Sequence, residues 1–315
     1  MVGDPLSEVF DAVEIRGLLT GGVAVSGGRW ISRTTIDDPL KLMAVARGHA
    51  RLSTNGVDTP LTLGPGDVVI VNGRSWLTVE GGSGDEPPTE ITVTAGDPSH
   101  HLQGAHPGAA DVLVGVRVDL NAAGRELLLA ALPPVGHVRA TAEASPSLRA
   151  SLDRLVEEAT GGRMGSAFAI RQHGQLLMLE VLRAYLHHAE LPSGWLRLLT
   201  DEPLRPALTL MHAKPGHRWG LAELAHAAAM SRTTFAQRFR TVAGTPPLTY
   251  LHRWRMLLAQ RALRDDDVRV RSLALQLGYA SESAFSTAFK REMGQSPLRY
   301  RHQERSTPRL EPATV

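Results

Sequence analysis

The chain writes one skeleton twice. Residues 231–252 read SRTTFAQRFRTVAGTPPLTYLH and residues 281–302 read SESAFSTAFKREMGQSPLRYRH. Ser231, Phe235, Phe239, Gly244, Pro247, Leu248, Tyr250 and His252 recur as Ser281, Phe285, Phe289, Gly294, Pro297, Leu298, Tyr300 and His302. On a helix that advances about 100° per residue, Phe235, Phe239 and Val242 fall within about 60° of each other and predict a buried stripe. Arg232, Thr233, Ala236, Gln237 and Arg240 fall on a separate arc. In the second copy Phe285, Phe289 and Met293 make the stripe, and Ser283, Ala284, Thr287, Lys290 and Arg291 lie opposite. The two copies therefore share a packing half and differ in an outward half of small, polar and cationic residues.

A second short helix precedes each copy. LAELAHAAAM (221–230) leads to Ser231 and SLALQLGYA (272–280) leads to Ser281. Both serines stand where an N-cap belongs, and Gly278 stands in the turn. Helix, tight turn and a second helix with a wet polar face is the helix-turn-helix pattern, whose second helix enters the DNA major groove. Thr, Gln and Ser bond to base edges, and a small apolar side chain meets a thymine methyl. Arg232, Arg240, Lys290 and Arg291 suit phosphates, which position a protein without reading sequence. PPLTYLHRWRMLLAQRALR (246–264) begins with proline, runs amphipathic without a breaker and predicts a stiff helix between two reading heads. Heads so fixed match adjacent major-groove segments about 34–36 Å apart. The competing reading is a helical bundle made by duplication, with no role on DNA.

Charge separates the ends of the chain. The net charge is +2, but residues 1–204 carry 16 Lys+Arg against 24 Asp+Glu and residues 205–305 carry 17 against 7. A basic module joined to an acidic one points to a polyanion partner for the basic part. The 43% hydrophobic and 21% charged content is that of an ordinary soluble globular chain. With no cysteine, disulfides, thiolate metal sites, cysteine nucleophiles and thiol redox sensing are excluded. The chain starts without a basic run and apolar core, and no apolar stretch reaches the roughly 18 residues of a membrane span, so a cytoplasmic protein is expected.

Residues 10–118 alternate apolar and polar positions between Gly, Pro, Asn and Asp clusters, predicting short strands of a small barrel or sandwich. GGSGDEPP (81–88) is expected as a loop. From residue 121 the period becomes helical: a short helix before Pro133, another from Ser145 to Gly161 or Gly162, and a long one over 165–189. Phe168, Leu176, Leu179, Leu182 and Leu186 repeat along that last helix, as core or as a homodimer contact. His187 and His188 close the helix, where they suit its dipole.

In the last third the run GYASESAFSTAFKREMGQSPLRYR, Gly278 to Arg301, resembles the signature of the AraC/XylS transcription regulators, and the resemblance spans residues 204–302. It implies an all-α double helix-turn-helix domain over 201–303, and the tail over 304–315, ending STPRLEPATV with Pro, Thr and no periodicity, is expected to be disordered. It implies Thr233, Ala236 and Gln237 as base-facing in the first unit, and Glu282, Ser283, Ser286 and Thr287 in the second. The helical wheel sets Glu282 and Ser286 nearer the edge of the exposed arc. Residues 1–200 are similar to the cupin-like regulatory and dimerisation domain of one subgroup, a β-barrel followed by helices with an ALPP segment like Ala131–Pro134. The expected class is α+β.

The cupin metal motifs are eroded. In VNGRSW, Gly73 is retained, Val71 replaces proline and Trp76 replaces histidine, while ARGHARL offers only His49. No metal, cofactor or catalytic residue is expected, and a cupin enzyme with an accessory DNA-binding domain is the alternative. His100, His101 and His106 are either a zinc or pH site or an ordinary polar loop. His49, Trp76 and Trp30 are either plain core or the lining of a pocket for an apolar or aromatic effector. No Ser–His–acid set, phosphate loop or HExxH helix occurs, and the GG pairs lack the context of phosphate loops. The reading as a whole is a transcription regulator, an activator, with double-stranded DNA, RNA polymerase, a small-molecule effector and a second copy as partners.

Overall fold

The computed structural model describes residues 4–13, 16–92, 109–121, 124–140, 145–188 and 191–306. The chain divides into two units. Glu14–Glu190 form one, and Met1–Val13 together with Leu191–Val315 form the other.

The first unit pairs two sheets. Strands β1 (Arg16–Val25), β3 (Leu40–Arg47), β6 (Val68–Asn72), β9 (Asp111–Asp119) and β10 (Val135–Val138) assemble in the order β1-β9-β3-β6-β10. Strands β2 (Trp30–Thr35), β4 (Ala50–Thr54), β5 (Leu61–Leu63), β7 (Trp76–Gly81) and β8 (Thr89–Glu90) assemble as β5-β4-β7-β2-β8. Among the described strands no ladder joins the two sheets, which face each other as a sandwich, and closure into a barrel is not seen among them. Met43, Val45, Val69, Val71 and Leu113 from one sheet pack on Trp30, Leu52, Leu63, Leu77 and Val79 from the other. Leu40, Leu42 and Ala44 alternate with Met43 and Val45 and are also buried, so β3 is covered on both faces.

Buried polar groups fasten the sandwich at defined points. Asp111 accepts from Trp30 Nε1 at 2.7 Å and from the His49 backbone N–H at 3.2 Å. Gly48, at φ +75°, makes room for it, because a Cβ there would sit 1.9 Å from Asp111 Oδ1. Burial alone would raise the Asp67 carboxyl, but bonds from the Gly64 and Ala140 backbones and from His137 hold it below the usual range.

A π-helical turn at Arg125–Leu129 occupies the place of the short helix expected before Pro133, and α2 (Ser145–Gly161) and α3 (Ser166–His188) follow. The buried face of α3 is Ile170, Leu177, Met178, Val181, Leu182 and Tyr185. Phe168 and Leu176, read as part of one stripe with Leu182, are exposed by 63% and 49%. Apolar residues on both sides of α3 hid its phase. The side chains of His187 and His188, and all of His100, His101 and His106, lie outside the described residues.

The second unit is helical: α1 (Pro5–Val13), α4 (Trp195–Thr200), α5 (Arg205–Ala213), α6 (Leu221–Ala227), α7 (Arg232–Ala243), α8 (Pro247–Asp265), α9 (Val270–Gln276), α10 (Glu282–Met293) and α11 (Pro297–Ser306). The N-terminal helix α1 packs on α5 and α8, although the sequence assigns it to the sheet domain. A buried histidine is the fastening. His212 lies 2.9 Å through Nδ1 from Glu8 Oε2 and 2.8 Å through Nε2 from the Tyr250 hydroxyl. Its ring stacks on Trp254 at 4.0 Å. Burial pushes its pKa down to about 4, so near pH 7 the neutral ring donates to Glu8 and accepts from Tyr250. Helix α11 continues to Ser306, where a tail was expected from 304, because Arg305 donates to the carbonyls of Arg264 and Asp266. The rest of that tail lies outside the described residues.

Candidate nucleic-acid interface

The duplicated skeleton builds the same local structure twice. The Ser231 side chain accepts from the Thr234 N–H, and that of Ser281 from the Ala284 N–H, each at 3.1 Å. Each cap satisfies one of the orphan donors of a helix start. Gly244 (φ +69°) and Gly294 (φ +72°) end α7 and α10 in the left-handed region, donating at 2.9 Å to the carbonyls of Arg240 and Lys290. Phe235 and Phe239 lie 5.7 Å apart with Tyr250 5.6 Å beyond, and Phe285 and Phe289 lie 5.7 Å apart with Tyr300 5.5 Å beyond. All four phenylalanines are fully buried.

The turns differ. In both, a backbone N–H five residues on closes the first helix, Met230 to Ala225 and Tyr279 to Ala274. The left-handed residue is Ala229 (φ +52°) in the first and Gly278 (φ +81°) in the second. Ser231 follows Met230 directly, whereas Ala280 intervenes before Ser281, so the second turn is one residue longer. Gly278 is forced for a further reason: a Cβ there would lie 2.3 Å from the Gly216 carbonyl oxygen.

Helix α8 joins the units. Its 19 residues span about 28 Å at the usual rise. Its C-terminal half, with Met256, Ala259 and Leu263, belongs to the core of the second unit with Leu273, Phe285 and Phe289. Trp254, one turn earlier, stacks on His212 beside the first unit.

On this frame Thr233, Gln237, Glu282, Ser283 and Thr287 are exposed, and Ala236 and Ser286 are half-buried at equivalent places. Arg232, Arg240, Lys290 and Arg291 are all exposed. The structure thus arrays the residues singled out in the sequence along the outer sides of α7 and α10. Arg291 also borders a cleft with Leu248, Arg253 and Glu292.

Sequence reasoning missed three features of this surface. Arg238 on α7 grips Asp201 with two bonds, at 3.1 and 2.9 Å, which ties the reading helix to the start of the helical unit. Arg255 donates to the carbonyls of Pro215 and His217 and holds the loop before α6. Both are local arginines that find partners about forty residues away, which no local pattern reveals. Leu248 and Leu298 were read as packing because both copies carry them, yet they are 47% and 62% exposed beside the starts of α8 and α11. Repetition combined with exposure marks them as surface residues retained in both copies.

The proposed effector-lining set is not brought together. Trp30 is 1% exposed, held in the core by Asp111. Its strand partner is Gly81, while Trp76 pairs with Thr35 at the other end of β2 and is 42% exposed. His49 touches Asp111 through its backbone, and its side chain is exposed. The alternation of β2 and β7, which decides which side chains face inward, separates Trp30 from Trp76.

Comparison with known proteins agrees with both halves. Residues 4–187 match the Cupin family model and residues 224–303 match the helix-turn-helix domain model. A protein described as an AraC-like transcription regulator, from Streptomyces lividans, is 35% identical over 299 residues, 95% of this chain and 98% of that protein. The RCS-specific HTH-type transcriptional activator RclR of Escherichia coli is 34% identical over 158 residues, 50% of this chain and 56% of its own length. Among solved structures, the DNA-binding domain of the global transcriptional factor AdpA, in complex with a target DNA, is 33% identical over 35% of this chain and all of that domain, with a TM-score of 0.33. The chain belongs to the AraC-like transcription regulators, DNA-binding proteins in which a cupin domain precedes a helix-turn-helix domain.

Proposed function

We propose that the protein reads an asymmetric duplex site with two unequal helices and activates transcription from it in the cytoplasm. Thr233, Ala236 and Gln237 contact bases in one major-groove segment, and Glu282, Ser283, Ser286 and Thr287 in the next. Arg232, Arg240, Lys290 and Arg291 hold the flanking phosphates. Glu282 accepts from a cytosine N4 and disfavours phosphate. The supporting observation is the pair of capped helices on one stiff spacer, whose exposed sides are small and polar rather than uniformly cationic. A non-specific grip on DNA favours Lys and Arg throughout.

In this reading the protein is not an enzyme. Its domains are those of the sequence, 1–200 and 201–303, except that α1 works with the second. The N-terminal domain takes a small ligand and supplies the homodimer contact, and the bound regulator recruits RNA polymerase. The sign of regulation is supported by the word activator in the name of the Escherichia coli relative. Selection from a random duplex library by the full-length protein, at about 0.15 M salt, tests the reading. Two short boxes about one helical turn apart are expected. Binding without enrichment, with a steep salt dependence alone, would contradict it.

A further inference from the structure

The sandwich encloses a lysine where its pattern calls for an apolar residue. Along β3, Lys41, Met43 and Val45 point to the same face, and Met43 and Val45 belong to the core between the sheets. Lys41 is only 9% exposed. It lines a small cavity of about 30 Å³ together with Ser32 and Thr34 of the facing sheet. Ser32 is 4% exposed, and its hydroxyl has no hydrogen-bond partner. The apolar wall is Met43, Leu77 and Leu113.

Neither polar group is there to hold the fold. Among the described residues no carboxylate lies within ion-pair distance of the Lys41 amine. Asp38 acts on it from further away and lies 3.6 Å from Arg117. Burial therefore pushes the Lys41 pKa below its ordinary value, against the pull of Asp38. A largely buried amine whose nearest carboxylate is drawn to Arg117 and a buried hydroxyl without a bond are both costly. Gly115 keeps the space open, since a Cβ there would crowd Met43 Sδ at 3.3 Å and Lys41 Cε at 3.4 Å.

We propose that this cavity binds a short aliphatic monocarboxylate, with Lys41 and Ser32 both donating to its carboxylate and Met43, Leu77 and Leu113 against its tail. The chemistry follows from the donor set. Three donors line the space, the Lys41 amine and the hydroxyls of Ser32 and Thr34, and with one of them cationic and no acidic side chain among the lining residues they match an anion with two acceptor oxygens. The volume of about 30 Å³ is two to three times the roughly 10–15 Å³ that one water needs, so the ligand is small, at most of the size of acetate to butyrate. Binding supplies the missing counter-charge and the missing acceptor in one step. This deepens the reading in which the N-terminal domain takes a ligand, and rests on it for any effect on DNA.

The test uses the full-length protein and its thermal midpoint in acetate, propionate and butyrate, against matched sodium chloride and the corresponding alcohols. The carboxylates are expected to raise the midpoint by about 3–5 °C at roughly tenfold above Kd, with no rise from the alcohols. Lys41→Met, which replaces a buried amine by a thioether of similar length, keeps the fold and loses the response. Ser32→Ala weakens binding about tenfold. No carboxylate response beyond that of the salt control, or a full response in Lys41→Met, overturns the proposal. An aldehyde that leaves a mass adduct on Lys41 after borohydride reduction, with no carboxylate response, also overturns it. Affinity for the selected duplex with and without butyrate is read separately. A midpoint shift with unchanged DNA affinity keeps the site and removes ligand control.

Discussion

The two helix-turn-helix units are alike inside and unlike outside. Their caps, terminal glycines and Phe–Phe–Tyr contacts correspond residue for residue, while the residues on their faces differ. Helix α7 carries Arg232, Arg238 and Arg240 and no acid, whereas α10 sets Glu282 and Glu292 against Lys290 and Arg291. The equivalent tyrosines also diverge. Tyr250 bonds to His212, which titrates, and Tyr300 bonds to Gln260, which does not. A duplicated domain can hold its packing constant and let the outward positions drift, because helix docking depends only on the buried half. The two units therefore share one packing plan and present different charge outside.

The largest effects should be those the units share. Phe239→Ala and Phe289→Ala each remove a fully buried ring and should cost about 3–5 kcal/mol, alike in both units, by urea denaturation. A cost confined to one of them would mean the two cores are not equivalent. The turns should differ in sign. Gly278→Ala drives a Cβ onto the Gly216 carbonyl and should destabilise by about 2 kcal/mol or more, while Ala229→Gly relieves a left-handed alanine and should stabilise by up to about 1 kcal/mol.

On DNA, Gln237→Ala should cost about 1–3 kcal/mol on the selected site and relax preference at one position. Arg291→Ala should weaken all sequences alike and lower the salt slope by about one. Equal losses on selected and random duplexes would remove Gln237 from the reading set. Smaller still, Ser231→Ala and Ser281→Ala should each cost about 1 kcal/mol by thermal denaturation.

Acid should separate the two tyrosine environments. The folded pKa of His212 lies below the unfolded value of 6.5, so the unfolded chain binds the extra proton first. Stability that is intact above pH 6.5 should fall as the pH drops towards about 4. His212→Gln should flatten that slope in pH-dependent denaturation, and an unchanged slope would place the titration elsewhere.

The helical unit was legible because its determinants are local. Cap serines, terminal glycines and phenylalanines four apart act within one turn of where they stand, and the duplication displayed them twice. What stayed hidden depends on distant partners. Trp30 reads as either core or pocket lining until Asp111, far along the chain, takes its N–H and fixes it in the core. Glu8 reads as part of the sheet domain until His212 draws α1 onto the helical unit. The burial of Lys41 within KLMAV has no local signal, because a strand covered on both faces has no polar side to betray its phase. Leu248 and Leu298 were misread for the opposite reason: repetition was equated with packing.

The central claim is that both units read DNA and that α8 fixes their separation. The most direct measurement is the affinity of the full-length protein for the selected site with five and with ten base pairs inserted between the two boxes. A rigid spacer predicts that both insertions reduce affinity to that of a site with one box scrambled. Recovery of full affinity at ten base pairs, where the boxes return to one face of the duplex, would contradict it, as would a site that loses nothing when either box is scrambled.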